Sequence, residues 1–147
     1  SWTQPNAAEK IENLCSGFAI ENRLNTPEYV PENSLLYSEK QAGRLSCRQL
    51  GLAAEAGDAF ALAEIDRVAR TFAIGLGNVL TLLHPQRIAI GGGVSHLGET
   101  LLQPMRGYAR EFAFEPCKDG FEIVPCHYPQ EAVPLGAALL AAKRKGL

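Results

Sequence analysis

The 147-residue sequence lacks most of the features that mark a specialised class of protein. Its 14 basic and 16 acidic residues leave a net charge of −2, and no basic stripe runs along it, which argues against a nucleic-acid partner for this segment. Its apolar stretches are too short or too interrupted by charge to span a bilayer, so no membrane partner is expected. The first residues carry no secretion signal, and we therefore expect a cytoplasmic location.

Closely spaced cysteines are also lacking. The four cysteines stand far apart, without a Cys-x-x-Cys pair: Cys15, Cys47, Cys117 and Cys126. A zinc site built from four of them would need closer spacing, so no metal ligands are assigned. In a cytoplasmic chain the pattern predicts free thiols, most of them small buried hydrophobes.

What the sequence does contain is typical of one globular domain over residues 1–147, with 46% apolar and 20% charged residues. Asn6 and Glu9 resemble a capping box for a helix that we expect to reach Arg23. That helix would bury five residues, namely Ile11, Leu14, Cys15, Phe18 and Ala19. Residues 25–45 contain two prolines and show no sustained period, which predicts a surface excursion.

The middle of the sequence shows the clearest helical signals. Ser46 is placed to begin a short helix through Ala56, with Gly57 in the usual position after its end. Asp58 begins a long helix that ends at His84, and apolar side chains off its main stripe predict cover over much of its circumference. The stripe consists of Ala61, Ile65, Val68, Phe72, Leu76, Val79 and Leu83, and Gly75 and Gly77 would admit another backbone.

Two short strands are predicted in the second half, at 88–90 and 121–124, with a helix over 97–112 between them and a kink at Pro104. A last helix is predicted over 135–145, and the connection implies that the strands are parallel. Two strands leave both sheet edges open. We therefore expect further strands from sequence upstream of Ser1, from another chain or from an oligomer partner.

Three consecutive glycines, Gly91, Gly92 and Gly93, follow the first strand directly. Glycine has no Cβ, so a ligand can lie against such a backbone, and free N–H groups at a strand-to-helix junction suit a nucleotide or another anion. A dinucleotide fingerprint would need glycine where His96 stands, and the Gly-Lys-Ser/Thr of a P-loop is absent. The block indicates another kind of ligand loop, or a tight turn that binds nothing.

The sequence from Leu83 onward closely resembles the C-terminal lobe of the ROK family, which groups bacterial sugar kinases with sugar-responsive repressors. The residues that carry the resemblance are His84-Pro85-Gln86-Arg87-Ile88-Ala89-Ile90-Gly91-Gly92-Gly93-Val94-Ser95, Leu101-Leu102-Gln103-Pro104-Met105-Arg106 and Glu131-Ala132-Val133-Pro134-Leu135-Gly136-Ala137-Ala138. Ala56-Gly57-Asp58, the helix through Gly77-Asn78 and Ser16-Gly17 fit the same template.

This resemblance implies an α/β fold, the second lobe of an actin-like, ribonuclease H-like ATPase with an incomplete sheet in this chain. It implies that Gly91, Gly92, Gly93 and Val94 line the adenosine side of an ATP cleft, with ATP and magnesium as cofactors of the complete protein. Glu12, four residues before Ser16, matches the family's sugar-binding glutamate. The family's zinc-binding cysteines fall on residues 5–10, where no cysteine stands, so zinc is not supported.

The family's first phosphate loop and catalytic aspartate have no counterpart in these residues, so no catalytic residue is assigned and the chain alone is expected to be inactive. The first hypothesis is therefore the C-terminal lobe of an ATP-dependent sugar kinase, which would need the missing N-terminal lobe. The second is the sugar-sensing or dimerisation lobe of a repressor without kinase activity. The third is an interaction domain whose glycine turn is empty. The open sheet is also compatible with a homodimer.

Overall fold

The computed structural model describes residues 10–127 of the chain. Within this range the helices and strands follow one another in the order of an α/β protein with a small sheet. The elements are α1 (Ile11–Cys15), α2 (Gly17–Leu24), α3 (Leu35–Ala42), α4 (Cys47–Glu55), α5 (Ala59–Leu83), β1 (Arg87–Ile90), a 3-10 helix (Gly93–Leu97), α6 (Glu99–Phe112), a second 3-10 helix (Glu115–Cys117) and β2 (Glu122–Pro125).

The first predicted helix is interrupted, and its prediction as one continuous element is wrong. Ser16 adopts an extended conformation between α1 and α2, and its Oγ accepts the Ala19 N–H at 3.1 Å as an N-cap. The break turns Phe18 outward, 73% exposed, and Ile11 is 41% exposed, so their predicted burial is also wrong. Cys15 is buried as expected, whereas Leu14 and Ala19 are half-buried. The proposed start at Asn6 lies outside the described residues.

Residues 25–45 contain a helix that the sequence pattern did not reveal. α3 begins after Ser34, whose Oγ accepts the Leu36 N–H at 3.2 Å and donates to Asp58 Oδ1 at 3.1 Å. Val30, Leu36 and Leu45 are buried in the core. The prediction of a surface excursion is therefore wrong for α3, because eight residues are too few to show a helical period.

The predicted boundaries of the two central helices are confirmed. The Ser46 N–H donates to Gln49 Oε1 at 2.9 Å in a capping box, and Gly57 follows α4 with φ +84°. Asp58 Oδ1 accepts the Ala61 N–H at 2.7 Å at the start of α5. The helix ends where His84 adopts the left-handed conformation.

α5 is the central helix, but the described residues cover only part of it. Its stripe is buried at Val68 and Leu76, yet the off-stripe residues Ile74 and Leu82 are 51% and 76% exposed, so within residues 10–127 the predicted cover over much of its circumference is wrong for the second half. The predicted approach of another backbone is confirmed at Gly77, where a Cβ would lie 2.9 Å from the carbonyl carbon and oxygen of Phe112 on α6. It is wrong at Gly75, where a Cβ would meet the Ile11 side chain instead.

β1 and β2 form the predicted parallel pair, with Arg87 opposite Glu122 and Ile90 opposite Pro125. The connecting helix α6 begins two residues later than predicted, because the 3-10 helix precedes it and Gly98, at φ +58°, separates the two. α6 continues through Pro104. The predicted last helix over 135–145 lies outside the described residues.

Cys15, Cys47 and Cys117 are buried free thiols, as predicted. Burial raises the pKa of Cys15 to about 11 and that of Cys47 to about 12, so both remain protonated at neutral pH. In the range 10–127, none of the helices combines the length and apolar character needed to cross a membrane.

Candidate functional site

The glycine block lies where the carboxyl ends of both strands meet. Ile90, 6% exposed, anchors the end of β1, and its carbonyl accepts the Cys126 N–H at 2.8 Å just beyond β2. Gly91, Gly92 and Gly93 leave the sheet here and are exposed. Ligands of parallel α/β proteins bind beyond the carboxyl ends of the strands, so the loop occupies the position expected of a binding site.

Gly92 gives the loop its shape. Its backbone has φ +82° and ψ −173°, a combination that is essentially restricted to glycine. The Gly92 carbonyl accepts both the Ser95 N–H at 3.0 Å and the Ser95 hydroxyl at 2.7 Å, which fixes the first turn of the 3-10 helix. A Cβ on Gly92 would meet nothing within 4 Å, so open space faces this residue.

The residues that follow hold the loop to the core. Val94 and Leu97 are 5% and 1% exposed, and their side chains anchor the 3-10 helix in the hydrophobic core. Because the Val94 side chain packs inward, only its backbone remains to face a ligand. The loop thus combines an exposed backbone with a fixed attachment.

The Ser16-Gly17 turn lies in direct contact with this loop. A Cβ on Gly17 would come within 3.0 Å of the Cα and carbonyl carbon of Gly93 and 3.1 Å of the Val94 nitrogen. The absence of a side chain at Gly17 therefore allows two backbone segments to meet. The structure brings together the two segments that the sequence singled out, although 75 residues separate them.

Glu12 lies on α1, just before this turn. Its side chain is exposed, and its backbone carbonyl accepts the Ser16 N–H at 3.1 Å where α1 ends. Among residues 10–127, no hydrogen bond or ion pair is made by its carboxylate. The carboxylate is thus available as an acceptor on the segment that precedes the turn.

A groove beside the 3-10 helix was not predicted from the sequence. It has a volume of about 540 Å³ and runs between α4 and the 3-10 helix. A Cβ on Gly51 would lie 3.3 Å from the His96 carbonyl oxygen, so a glycine again permits the contact. The available signal was Gly51 itself, because a glycine within a helix costs stability and indicates close packing. The groove is lined by Glu21, Ser46, Arg48, Gly51, Leu52, Glu55 and His96.

The most highly charged buried cluster holds helices together, and both oxygens of its carboxylate already accept hydrogen bonds. Glu64, 4% exposed, accepts hydrogen bonds from Arg23 Nη2 at 2.9 Å, from Arg67 Nη2 at 2.8 Å and from the Tyr29 hydroxyl at 2.8 Å. Burial and this hydrogen bond to Glu64 raise the pKa of Tyr29. The cluster ties α2 to α5 and so fixes the helix that begins at Gly17.

The described residues suit a nucleotide better than they suit a metal ion. The exposed glycine loop fits a nucleotide, because a ligand can approach its backbone without meeting a Cβ. Residues 10–127 contain no group of three or more His, Cys, Asp or Glu side chains placed to hold a metal ion, so no magnesium ligand is assigned to them. A larger cavity of about 630 Å³ lies at the amino ends of the strands, beside Gln86 and Gly120, away from the loop.

Sequence comparisons place most of the chain in one family. A model of the ROK family matches residues 5–144. Two curated glucokinases are similar to the chain. That of Halalkalibacterium halodurans is 32% identical over 78% of this chain and 34% of its own length. That of Thermotoga maritima is 31% identical over 92% of this chain and 43% of its own length.

Solved structures share the fold. A ROK family glucokinase from Streptomyces griseus, in complex with glucose and AMPPNP, has a TM-score of 0.72 and 27% identity over 88% of this chain and 43% of its own. A ROK family transcriptional regulator, a homologue of the E. coli MLC protein, has a TM-score of 0.72 and 25% identity over 88% of this chain and 32% of its own.

The chain spans between about a third and less than half of the length of these relatives. The fold expected from the sequence, an α/β lobe of the actin-like ATPase class with a two-stranded parallel sheet, is confirmed. The family match covers nearly the whole chain, and the chain therefore belongs to the ROK family.

Proposed function

We propose that this chain forms the nucleotide-side lobe of a ROK sugar kinase, which transfers a phosphoryl group from ATP to a hydroxyl of a hexose or N-acetylhexosamine. The observation that carries the proposal is the contact between Gly17 and Gly93, because it joins the exposed glycine loop to the Ser-Gly turn that follows Glu12. A kinase needs its nucleotide and its acceptor sugar in one cleft.

The glycine loop is assigned to the nucleotide. Gly91, Gly92 and Gly93 present an exposed backbone at the carboxyl end of β1, and Val94 anchors the loop from the core. The AMPPNP held by the Streptomyces griseus relative supports this assignment at the level of the family. Bound ATP supplies the phosphoryl group, and these residues would position its adenosine side.

Glu12 is assigned to the sugar. Its exposed carboxylate can accept hydrogen bonds from sugar hydroxyls, and the turn at Ser16 and Gly17 fixes the segment that carries it against the loop. The glucokinase relatives and the glucose-bound structure favour a hexose of the glucose type. Magnesium would accompany the ATP, with ligands from outside residues 10–127.

This chain alone is expected to be catalytically inactive. Phosphoryl transfer depends on positioning and on charge stabilisation from both sides of a cleft, together with a base that receives the hydroxyl proton. No residue of the chain is assigned as that base. The chain therefore binds and orients, and a second lobe would complete the reaction.

A second candidate is favoured by the transcriptional regulator that shares the fold. In that function the lobe senses a sugar, and the glycine loop needs no nucleotide. Titration calorimetry distinguishes the two. We expect the chain to bind Mg-ATP or AMPPNP, with binding strengthened by glucose, mannose or an N-acetylhexosamine. Sugar binding with no response to nucleotide would favour the regulator, and phosphorylation of any of these sugars by the chain alone would contradict its assigned inactivity.

A further inference from the structure

Zinc does not fit the residues around Glu12. The family resemblance places zinc-binding cysteines on residues 5–10, where no cysteine stands. All four cysteines and all three histidines of this chain fall within residues 10–127, and that range contains no group of three or more His, Cys, Asp or Glu side chains that could hold a metal ion. Since structural zinc takes four such ligands, other contacts hold the segment that carries Glu12.

Cys15, which follows Glu12 by three residues, is turned into the core. It is 0% exposed, and its Sγ donates to the Val68 carbonyl on α5 at 3.8 Å. Burial raises the pKa of this thiol to about 11, whereas zinc binds the deprotonated thiolate. Cys15 therefore acts as a packing contact between α1 and α5.

Ile11, which directly precedes Glu12, makes a second contact with α5. A Cβ on Gly75 would lie 2.6 Å from the Ile11 Cδ1, so the isoleucine occupies the space that a side chain at this position would need. Ile11 is 41% exposed, so more than half of its surface is covered. Gly75 and Val68 lie about two turns apart on one side of α5, and α1 is thus attached to that side at both of its ends.

The helix that carries Glu12 is too short to be stable without these contacts. α1 has five residues, and its N-cap, Lys10, makes no side-chain capping hydrogen bond. Helices of this length do not persist in water unless tertiary packing supports them. The position of Glu12 therefore depends on the contacts of α1 with α5, and on the turn at Gly17 that follows.

We propose that the packing of Ile11 and Cys15 on α5 positions Glu12 for the sugar, so that sugar binding by this chain requires no zinc. Both are positioning residues, because they act through the backbone of α1, which carries the carboxylate between them. The inference rests on the proposed function, since it takes Glu12 as the sugar ligand. In this chain, packing on α5 takes the place of a metal next to this glutamate.

The first test compares Ile11→Ala with Ile74→Ala, a matched control that removes the same atoms from an isoleucine on α5 that is 51% exposed. Hydrogen exchange is measured at the Ser16 amide, which donates to the Glu12 carbonyl at 3.1 Å and so reports whether α1 is formed. We expect exchange about five- to tenfold faster in Ile11→Ala and unchanged in Ile74→Ala. Ile11→Leu keeps an apolar side chain on α5 and should retain the slow exchange.

The second test separates sugar binding from general damage by calorimetry with glucose and with AMPPNP. Ile11→Ala should bind glucose about threefold more weakly or worse, because Glu12 is held in the binding position for a smaller fraction of the time. Its affinity for AMPPNP should be unchanged. Neither EDTA nor added zinc should alter the glucose affinity or the Ser16 exchange rate of the unmodified chain.

Equal Ser16 exchange in Ile11→Ala and the unmodified chain would overturn the proposal, and so would bound zinc whose removal speeds that exchange. An equal loss of glucose affinity in Ile74→Ala would overturn it as well. A chain that does not bind glucose, or a Glu12→Gln variant that binds it as tightly as the unmodified chain, would contradict the proposed function. Ser16 exchange would still decide how α1 is held, so the two failures are distinguishable.

Discussion

The Glu64 cluster consists of side chains that pair with one another, whereas the glycine loop presents bare backbone. Around Glu64, two arginines and a tyrosine satisfy a buried carboxylate, and every group faces another side chain. Around Gly92 and Gly93 there are no side chains, and exposed backbone faces open space. The charged cluster has the groups that catalysis commonly uses, yet it is the bare loop that can accept a ligand.

A binding site is recognised by the hydrogen-bonding capacity that its groups do not already use within the protein. Glu64 has no capacity left for a substrate, because its oxygens already accept from Arg23, Arg67 and Tyr29. The cluster instead holds α2, whose first residue is Gly17, against α5. The side-chain contacts of the Glu64 cluster thus help to position the loop that we propose binds the nucleotide.

Removal of Glu64 should cause the largest loss of stability. Glu64→Ala removes the buried carboxylate that accepts from half-buried Arg23 and from Arg67, whose side chain is 46% exposed, and we expect a loss of about 2–3 kcal/mol in the free energy of unfolding, measured by urea denaturation. The control is Glu122→Ala, which breaks an ion pair with Arg87 whose side chains are both more than half exposed and should cost less than about 1 kcal/mol. Equal losses of stability in the two variants would contradict the distinction between the buried Glu64 cluster and the exposed pair of Arg87 and Glu122.

Gly17→Ala tests the contact between the turn and the loop. The added methyl group would press on the Gly93 backbone at 3.0 Å, so we expect a loss of about 1–3 kcal/mol and weaker AMPPNP binding. Gly43→Ala is the matched control, because its Cβ meets nothing within 4 Å and its backbone is extended. Unchanged affinity and stability in Gly17→Ala would show that the contact is loose.

Gly92→Ala tests the effect of backbone conformation in the absence of a steric clash. No atom obstructs the new methyl group, but its φ of +82° is strained for alanine, and a cost of about 1–2 kcal/mol is expected, with reduced nucleotide affinity. Gly107→Ala, at an exposed and unobstructed position in α6, should instead be neutral or stabilising. Thermal unfolding and calorimetry of the two variants give the comparison.

Asp58 should make the stability of the chain depend on pH in the acidic range. Burial raises the pKa of its carboxyl, but hydrogen bonds from the Ala61 and Leu35 N–H groups and the Ser34 hydroxyl outweigh this and lower it below its ordinary value. Its contribution is therefore present above the unfolded pKa of about 3.9 and is lost as pH falls through the folded pKa.

The variant Asp58→Asn cannot be protonated in this range. We expect it to be about 1 kcal/mol less stable than the unmodified chain at pH 6, and the difference to shrink towards pH 2. Urea denaturation across this range measures it. A constant difference at every pH would mean that the Asp58 carboxyl has the same pKa in the folded and unfolded chain.

The sequence was most informative where capping residues and periodicity coincide. Ser46, Gly57 and Asp58 define α4 and the start of α5 correctly, because their roles are local. The break at Ser16 was missed because its cause is tertiary. The chain turns there so that Gly17 can meet Gly93, a contact across 75 residues that no helical period encodes.

The candidate site was predictable only in part for the same reason. Three glycines after a strand indicate a ligand loop, and the family resemblance adds Glu12. The groove beside Gly51 depends on where α4 packs, and the contact between Gly17 and Gly93 depends on how α2 packs against the glycine loop. Neither follows from a local pattern.

A nuclear magnetic resonance titration of the chain with AMPPNP, followed at the backbone amides, tests directly whether the glycine loop binds a nucleotide. We expect the largest chemical-shift changes at residues 91–94 and at Gly17, and we expect these changes to be lost in Gly92→Ala. Shifts confined to the cavity beside Gln86 and Gly120, or no shifts at all, would contradict the assignment of the glycine loop to a nucleotide.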